Sequence, residues 1–188
     1  INHALYLCPD CHAIDPFRVG GNSFTCCNCN YDIHINDYGF FERISTGKLH
    51  FDNIRDWYYW QEKYLLEDIQ KKFEIGYQDC LFEDKGSKIY YGKEDADLQS
   101  IGQADVKLFM DRIDLCFQEN SKQITFNFND LQAINPQVHE RLEIYYKNEP
   151  YRIIGSREGV SALKWEVAVN AIWKKLGQEN KLSPYINM

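Results

Sequence analysis

Two pairs of cysteines near the amino terminus limit what this chain can fold into more than any other feature. They are Cys8-Pro9-Asp10-Cys11 and Cys26-Cys27-Asn28-Cys29, and the 14 residues from His12 to Thr25 separate them. A C-x-x-C turn brings two thiolates to one ion, and two such turns supply the four sulfur ligands of a tetrahedral Zn²⁺ site. We therefore predict a zinc ribbon in residues 1–47, with Cys8, Cys11, Cys26 and Cys29 as the metal ligands.

The alternatives for these cysteines are a pair of disulfides or unrelated buried thiols. The chain has seven cysteines, an odd number that fits a reducing compartment with a bound metal better than a secreted disulfide framework. We therefore expect a cytoplasmic protein, at the inner face of the membrane if it contacts lipid. A site filled by four thiolates has no position left for water or substrate, so the zinc is predicted to be structural.

The remaining cysteines and two of the histidines have weaker assignments. Cys27 adjoins a ligand, but only Cys26 keeps the two-residue spacing to Cys29. We expect Cys80 and Cys116 to be buried in strands, and His12 and His34 to lie on the surface or beside the metal ligands. No residue pattern indicates a nucleophile with a nearby base, so no catalytic residue is predicted.

The net charge and the hydropathy pattern argue against nucleic acid as a partner and against a membrane-spanning segment. The net charge of −7 argues against sequence-independent nucleic-acid binding, which depends on Lys and Arg neutralising phosphates. A nucleic-acid-binding zinc ribbon with base-stacking aromatic residues remains the rival hypothesis. No apolar run approaches the roughly 18–20 residues that cross a bilayer. The first residue is Ile1, from which we expect the chain to be part of a longer protein.

Short strands and then a helix are predicted next along the chain. Alternating apolar residues predict strands over 13–19, 23–25, 31–35 and 38–44. From Asp52 as the N-cap, apolar spacing near three and four predicts a helix over 53–74, within a connecting segment at 48–75. Trp57-Tyr58-Tyr59-Trp60 cannot all face one core, so we expect an aromatic cluster at a domain junction, with a ligand or lipid contact as the alternative.

From residue 76 to 180 the pattern is that of an antiparallel meander followed by a helix. Seven candidate strands alternate with turns, and they lie at 77–82, 88–91, 106–110, 113–117, 124–128, 142–146 and 151–154. An apolar stripe then predicts a helix over 158–176 that Gly177 ends. This order resembles the pleckstrin-homology-like fold, including its GRAM-type relatives. The predicted fold class is therefore mainly β with two helices: a zinc ribbon, a connecting helix and a pleckstrin-homology-like β-barrel with a C-terminal capping helix.

A lipid-binding barrel of this kind is expected to carry a basic cluster around its first hairpin. Here Lys85, Lys88 and Lys93 are interspersed with the acidic pairs Glu83-Asp84 and Glu94-Asp95, which we expect on solvated turns. Residues 76–155 contain nine Lys and Arg against fourteen Asp and Glu, a net charge of −5. Protein contact is therefore favoured over phosphoinositide binding.

Several short segments are similar to a known family. Leu5-Tyr6-Leu7-Cys8-Pro9-Asp10-Cys11, the closing Cys26–Cys29, Tyr38-Gly39-Phe40-Phe41-Glu42 and Asp56-Trp57-Tyr58-Tyr59-Trp60-Gln61 carry the similarity. They resemble the C-terminal extension of some Gram-positive bacterial lysophospholipid (1-acylglycerol-3-phosphate) acyltransferases, and the match covers about residues 5–75. The resemblance implies an accessory region that positions or regulates an upstream acyltransferase domain in phospholipid biosynthesis, through protein or peripheral membrane contacts.

The catalytic signature of that family is not found in this chain. In the family, a histidine precedes an aspartate with four residues between them. None of His3, His12, His34, His50 and His139 has an aspartate five positions later. The resemblance therefore implies a non-catalytic role for this segment.

Overall fold

The computed structural model describes residues 3–93, 97–119, 121–137, 141–157 and 160–182. It contains two antiparallel sheets, a long helix between them and a second helix after the larger sheet. The predicted class, mainly β with two helices, is confirmed. None of the helices in the described ranges is long and apolar enough to cross a membrane.

The first sheet has four short strands in sequential order, and they form the ribbon. They are β1 (Phe17–Gly20), β2 (Ser23–Cys26), β3 (Asp32–Ile35) and β4 (Phe41–Arg43). Gly20 pairs with Ser23, so Gly21 and Asn22 form a two-residue turn, and Gly21 has the positive φ of +57° that such a turn requires. The predicted strand over 13–19 is wrong in its first half, because Asp15 adopts a φ of +47° and turns the chain.

Helix α1 runs from Ile54 to Glu74 and spans about 31 Å. Its N-cap is Asn53 and not the predicted Asp52. The Asn53 side chain accepts a hydrogen bond from the backbone N–H of Asp56 at 3.0 Å, which satisfies one of the donors that a helix start leaves open.

The second sheet has seven strands in the described part of the chain. They are β5 (Phe82–Tyr91), β6 (Gln99–Leu108), β7 (Arg112–Phe117), β8 (Gln123–Asn127), β9 (Leu131–Gln137), β10 (Arg141–Tyr146) and β11 (Glu149–Ile154). Their order is β8-β7-β6-β5-β11-β10-β9, so the first and last strands of the meander pair with each other. With helix α2 (Leu163–Lys175) after the last strand, the arrangement is pleckstrin-homology-like. The sheet is not a closed barrel, since β8 and β9 do not pair.

One predicted strand is wrong and a second is too short. The segment 77–81 is not a strand, whereas 88–91 is a strand and forms the second half of the longer β5, which begins at Phe82. Lys85-Gly86-Ser87, predicted as a turn, lies inside β5 at a β-bulge, where the register shifts by one residue between Asp84 and Ser87. Gly86 has a φ of +64° there. Strand β9 was not predicted, so the count of seven was right while its members were not.

Helix α2 packs its apolar stripe into the larger core. Trp165, Val169, Ile172 and Trp173 are buried, and Gly177 follows the helix with a φ of +71°. The predicted start at Glu158 lies outside the described residues, and the helix begins at Leu163.

Helix α1 belongs to both cores. Trp57 is buried among ribbon side chains, whereas Leu65 and Ile69 are buried with the seven-stranded sheet and α2. Trp60 is half-buried and packs against both clusters, while Tyr59 is 62% exposed. The aromatic run therefore lies at the junction of the two sheets, as the sequence indicates.

Candidate metal centre

The first C-x-x-C turn, Cys8–Cys11, is called the first knuckle here. An isolated antiparallel pairing of Leu7 with Ile14 encloses it. The backbone N–H of Cys8 donates to the carbonyl of Ala13, and the N–H of His12 donates to the carbonyl of Cys8, each at 3.0 Å. These bonds hold the two ends of the turn together. The Cys8 side chain is buried and that of Cys11 is exposed.

The second knuckle, Cys26–Cys29, begins at the last residue of β2. The N–H of Cys26 donates to Tyr31 at 2.7 Å, and the N–H of Asn30 donates to the carbonyl of Cys26 at 3.0 Å. The N–H of Cys27 donates to the carbonyl of Pro16 at 2.8 Å, which ties this knuckle to the loop that leaves the first one. Backbone hydrogen bonds therefore fix the two knuckles relative to each other.

The four predicted ligands come together as one group. The sulfur atoms of Cys8, Cys11, Cys26 and Cys29 all lie within 4.8 Å of one another. Two of the distances, Cys8 to Cys29 and Cys11 to Cys26, are 3.6 Å. A disulfide requires about 2.05 Å, whereas four sulfurs at about 2.3 Å from one ion lie about 3.8 Å apart. The group can therefore hold a tetrahedral metal ion, and Cys27 is an exposed thiol outside it.

The four thiols differ in their electrostatic surroundings. Burial raises the pKa of Cys8 well above its ordinary value and that of Cys29 to about 11. Burial also acts on Cys11, but hydrogen bonds from the Ala13 backbone and neighbouring cysteines outweigh it and lower the pKa of that thiol. A divalent cation at the centre would favour the thiolate at every position.

None of the described histidines belongs to the sulfur group. The ring of His12 packs against that of Tyr64 at a tilt of 45°, with 4.6 Å between ring centroids, and His34 is exposed with its Nδ1 3.4 Å from the hydroxyl of Ser23. His50 was not singled out by the sequence. Its Nε2 lies 3.3 Å from Oδ1 of Asp10, which stands between Cys8 and Cys11.

A buried ion-pair cluster includes Asp15, which lies in the loop after the Cys8–Cys11 turn. Lys164, at the start of α2, has no exposed surface, and its ammonium contacts the carboxylates of Asp15 and Asp84 and donates to the carbonyl of Ser161 at 3.0 Å. Asp84 also accepts from Nε1 of Trp165 at 2.7 Å. All three ammonium hydrogens have an acceptor, so none is left for a bound ligand.

The position of Asp84 corrects a prediction. The pair Glu83-Asp84 was expected on a solvated turn, but the side chain of Asp84 is 11% exposed. The bulge at Gly86 reverses the strand's alternation, so that Phe82 and Asp84 face the same side as Ser87 and Ile89. The sequence signal for this bulge is an isolated glycine within a strand pattern, which was interpreted as a turn. The second pair, Glu94-Asp95, lies outside the described residues.

Two further side chains fasten the ribbon to the rest of the chain. Gln61 of α1 is fully buried, and its Oε1 accepts from the backbone N–H groups of Tyr6 at 2.9 Å and Leu7 at 3.3 Å. Its Nε2 donates to the carbonyl of Ala4 at 2.6 Å. The guanidinium of Arg157 donates to the carbonyls of Asp15 and Phe17.

The predicted burial of Cys80 and Cys116 within strands is only partly correct. Cys116 lies in β7 but is only partly buried, and Cys80 precedes β5 and is also partly buried. Burial nonetheless raises the pKa of the Cys80 thiol.

No protein-family model and no curated protein matches the sequence. Among solved structures, the chain is similar to the Vps36 N-terminal PH domain, with 18% identity and a TM-score of 0.42 over 53% of this chain and 83% of that one. It is also similar to the Ran-binding domain of the nuclear pore component NUP2 from Ashbya gossypii, with 12% identity and a TM-score of 0.35 over 54% and 99% of the two chains. Because these scores are low, the fold assignment depends on the strand order and the position of α2.

Proposed function

We propose that this chain is a non-catalytic interaction module in which a structural Zn²⁺ ion fixes a ribbon against a pleckstrin-homology-like domain. The observation that carries the proposal is the group of four cysteine sulfurs, all within 4.8 Å of one another. Soft thiolates in tetrahedral number are the ligands that zinc prefers, and four of them leave no open coordination position. The ion would therefore stabilise the ribbon and take no part in catalysis.

The buried ion-pair cluster supports a structural role for the rest of the chain. A catalytic lysine needs a free ammonium hydrogen or a lone pair directed at a substrate. Lys164 has neither, because its contacts to Asp15, Asp84 and Ser161 use all three hydrogens. The cluster holds the ribbon loop, β5 and α2 in one arrangement.

Protein contact is the form of interaction that the charges favour. Lys85 forms an ion pair with Glu83 at 3.0 Å, so it is not available to an anionic lipid without losing that partner. Lys85 and Lys88 lie in β5 itself and not in the loop that follows it. Of the three lysines considered for a phosphoinositide site, Lys93 alone follows β5 into that loop, which argues against a basic cluster there.

Metal analysis of the purified chain tests the zinc assignment. We expect about one zinc per chain. Cys11→Ser should lose the ion and destabilise the ribbon, while Cys27→Ser should retain it, since Cys27 lies outside the sulfur group. Equal zinc contents in the two variants would contradict the assignment.

We propose further that the module belongs to a 1-acylglycerol-3-phosphate acyltransferase, where it positions or regulates the catalytic domain. The support is the similarity of residues 5–75 to the extension of those enzymes. The coding sequence upstream of Ile1 is the direct test, and we expect it to encode a histidine and an aspartate separated by four residues. Deleting the module from that protein should then alter phosphatidic acid formation from lysophosphatidic acid and an acyl donor. An upstream frame that encodes no such pair would refute the assignment.

A further inference from the structure

Strand β1 is an open edge of the ribbon sheet. It pairs with β2 on one side and has no strand on the other among the described residues. The pair Gly20 and Ser23 closes the two-residue turn, and in such hairpins the flanking pair is hydrogen-bonded. Alternation along the ladder then directs the N–H and C=O groups of Phe17 and Val19 to the open edge.

Arg157 already uses part of this edge as a neighbouring strand would. Its Nη1 donates to the carbonyl of Phe17 at 3.1 Å, and its Nη2 donates to the carbonyl of Asp15. The Phe17 carbonyl belongs to the edge that an added strand bonds, whereas the Asp15 carbonyl precedes β1. The guanidinium covers the beginning of the edge, and Val19 lies beyond it.

A groove of about 590 Å³ runs along the same edge. Ile14, Pro16 and Val19 supply apolar surface, and Arg18, Asn28 and Arg157 supply polar surface. Asp15, the one acid among its described lining residues, has its carboxylate against Lys164. The described lining residues therefore carry a net positive charge, in a chain whose net charge is −7.

The two faces of β1 specify the side chains of an added strand. Phe17 and Val19 lie toward the core face, and Arg18 is exposed on the opposite face. Cross-strand neighbours on one face interact directly. A complementary strand therefore alternates apolar residues beside Val19 with acidic residues beside Arg18.

We propose that the β1 edge binds an extended segment of a partner protein, with alternating acidic and apolar residues, as an added β-strand. This inference rests on the interaction role proposed above and names the chemistry of the partner. Main-chain hydrogen bonds to Val19 supply affinity, and the two arginines with the apolar wall supply specificity.

The probe is an acetylated and amidated octapeptide of four Glu-Val repeats, added to the full zinc-loaded chain labelled with ¹⁵N. We expect saturable amide shifts at residues 17–20 and slower hydrogen exchange at Val19. Two variants test the contacts separately. Arg18→Glu removes the net positive charge of the groove, and Val19→Pro removes an outward N–H, a change that an edge strand tolerates. Each should weaken binding about tenfold, as should four Lys-Val repeats used in place of the Glu-Val peptide.

Three outcomes of the peptide titration would overturn the proposal. They are an absence of shifts at residues 17–20 at millimolar peptide, equal binding of the Glu-Val and Lys-Val peptides, and binding that Arg18→Glu leaves unchanged. Retention on phosphatidylserine vesicles that Arg18→Glu abolishes would assign the groove to lipid and refute the peptide. Zinc content and melting temperature of the same samples are independent of these results, so failure of the edge and failure of the zinc-stabilised module are distinguishable.

Discussion

The ammonium of Lys164 lies 2.8 Å from Oδ2 of Asp84, at the end of a side chain with no exposed surface. Burial alone would lower the pKa of Lys164, but the adjacent carboxylates of Asp15 and Asp84 outweigh it and raise the pKa. Burial raises the pKa of Asp15, and Lys164 offsets only part of that shift. We assign the charged form to the lysine, because both of its carboxylate partners are within contact distance.

Replacing Lys164 with methionine should lower the free energy of unfolding by about 3–5 kcal/mol. The change leaves two carboxylates buried without their cation, which is the costly way to break a buried ion pair. Urea unfolding followed by circular dichroism measures the effect. Lys174→Met, at an exposed position of the same helix, should change stability by less than about 0.5 kcal/mol.

The combined variant Lys164→Met, Asp15→Asn and Asp84→Asn should recover part of that loss, since it removes the uncompensated charges. If Lys164→Met were no worse than Lys174→Met, the buried cluster would not hold the ribbon loop, β5 and α2 together as described.

Gln61→Leu should lower the free energy of unfolding by about 2–4 kcal/mol. The substitution keeps the volume but removes the partner of the Tyr6 and Leu7 N–H groups and of the Ala4 carbonyl, and unpaired buried backbone groups are expensive. Chemical denaturation gives the magnitude. Gln70→Leu is the matched control in the same helix, because Gln70 bonds only to the exposed Glu74. Similar losses in both variants would argue against the role of Gln61.

Local sequence signals predicted that the four cysteines would come together, because their spacing within each C-x-x-C turn is set by a few adjacent residues. Long-range burial was harder to predict. The bulge at Gly86 turns Asp84 inward, and nothing near Asp84 in the sequence reveals that Lys164 will meet it 80 positions later. Strand β9 was not predicted, and it contains Pro136, a residue that is rare in the middle of a sheet. The proline is tolerated since β9 is an edge of the sheet.

Asn53→Ala should destabilise the chain by about 1 kcal/mol, because the Asn53 side chain caps the first turn of α1. Asp52→Ala should have a smaller effect, since only the Asp52 carbonyl is used, as the acceptor for the N–H of Phe41 at 2.8 Å. Thermal unfolding of the two variants makes the comparison. A larger loss for Asp52→Ala would restore the N-cap predicted from the sequence.

Tyr6→Phe should leave stability at pH 7 unchanged or raise it by up to about 1 kcal/mol. The Tyr6 hydroxyl is buried and has no hydrogen-bond partner among the described residues, so its removal relieves an unsatisfied group. Urea unfolding at pH 7 is the measurement, with the exposed Tyr38→Phe as the control. A loss of several kcal/mol would show that the hydroxyl has a partner.

The same variant should also change the response to alkali. Burial, with smaller contributions from nearby acidic groups, raises the pKa of Tyr6 above its ordinary value of 10.0. Above pH 10 the unfolded chain then loses a proton that the folded chain keeps, so stability falls as pH rises, by up to about 1.4 kcal/mol per pH unit for one group. Tyr6→Phe should lessen this slope between pH 10 and 11, and an identical slope would contradict the shift.

The contacts of Asp15 also set an order of events during synthesis. Its carboxylate meets Lys164, which follows it by 149 positions. At about 5–20 residues per second, roughly 7–30 s pass between the appearance of the two residues on the ribosome. If the ribbon folds as soon as it is synthesised, the Asp15 carboxylate stays hydrated until α2 emerges from the ribosome and Lys164 pairs with it.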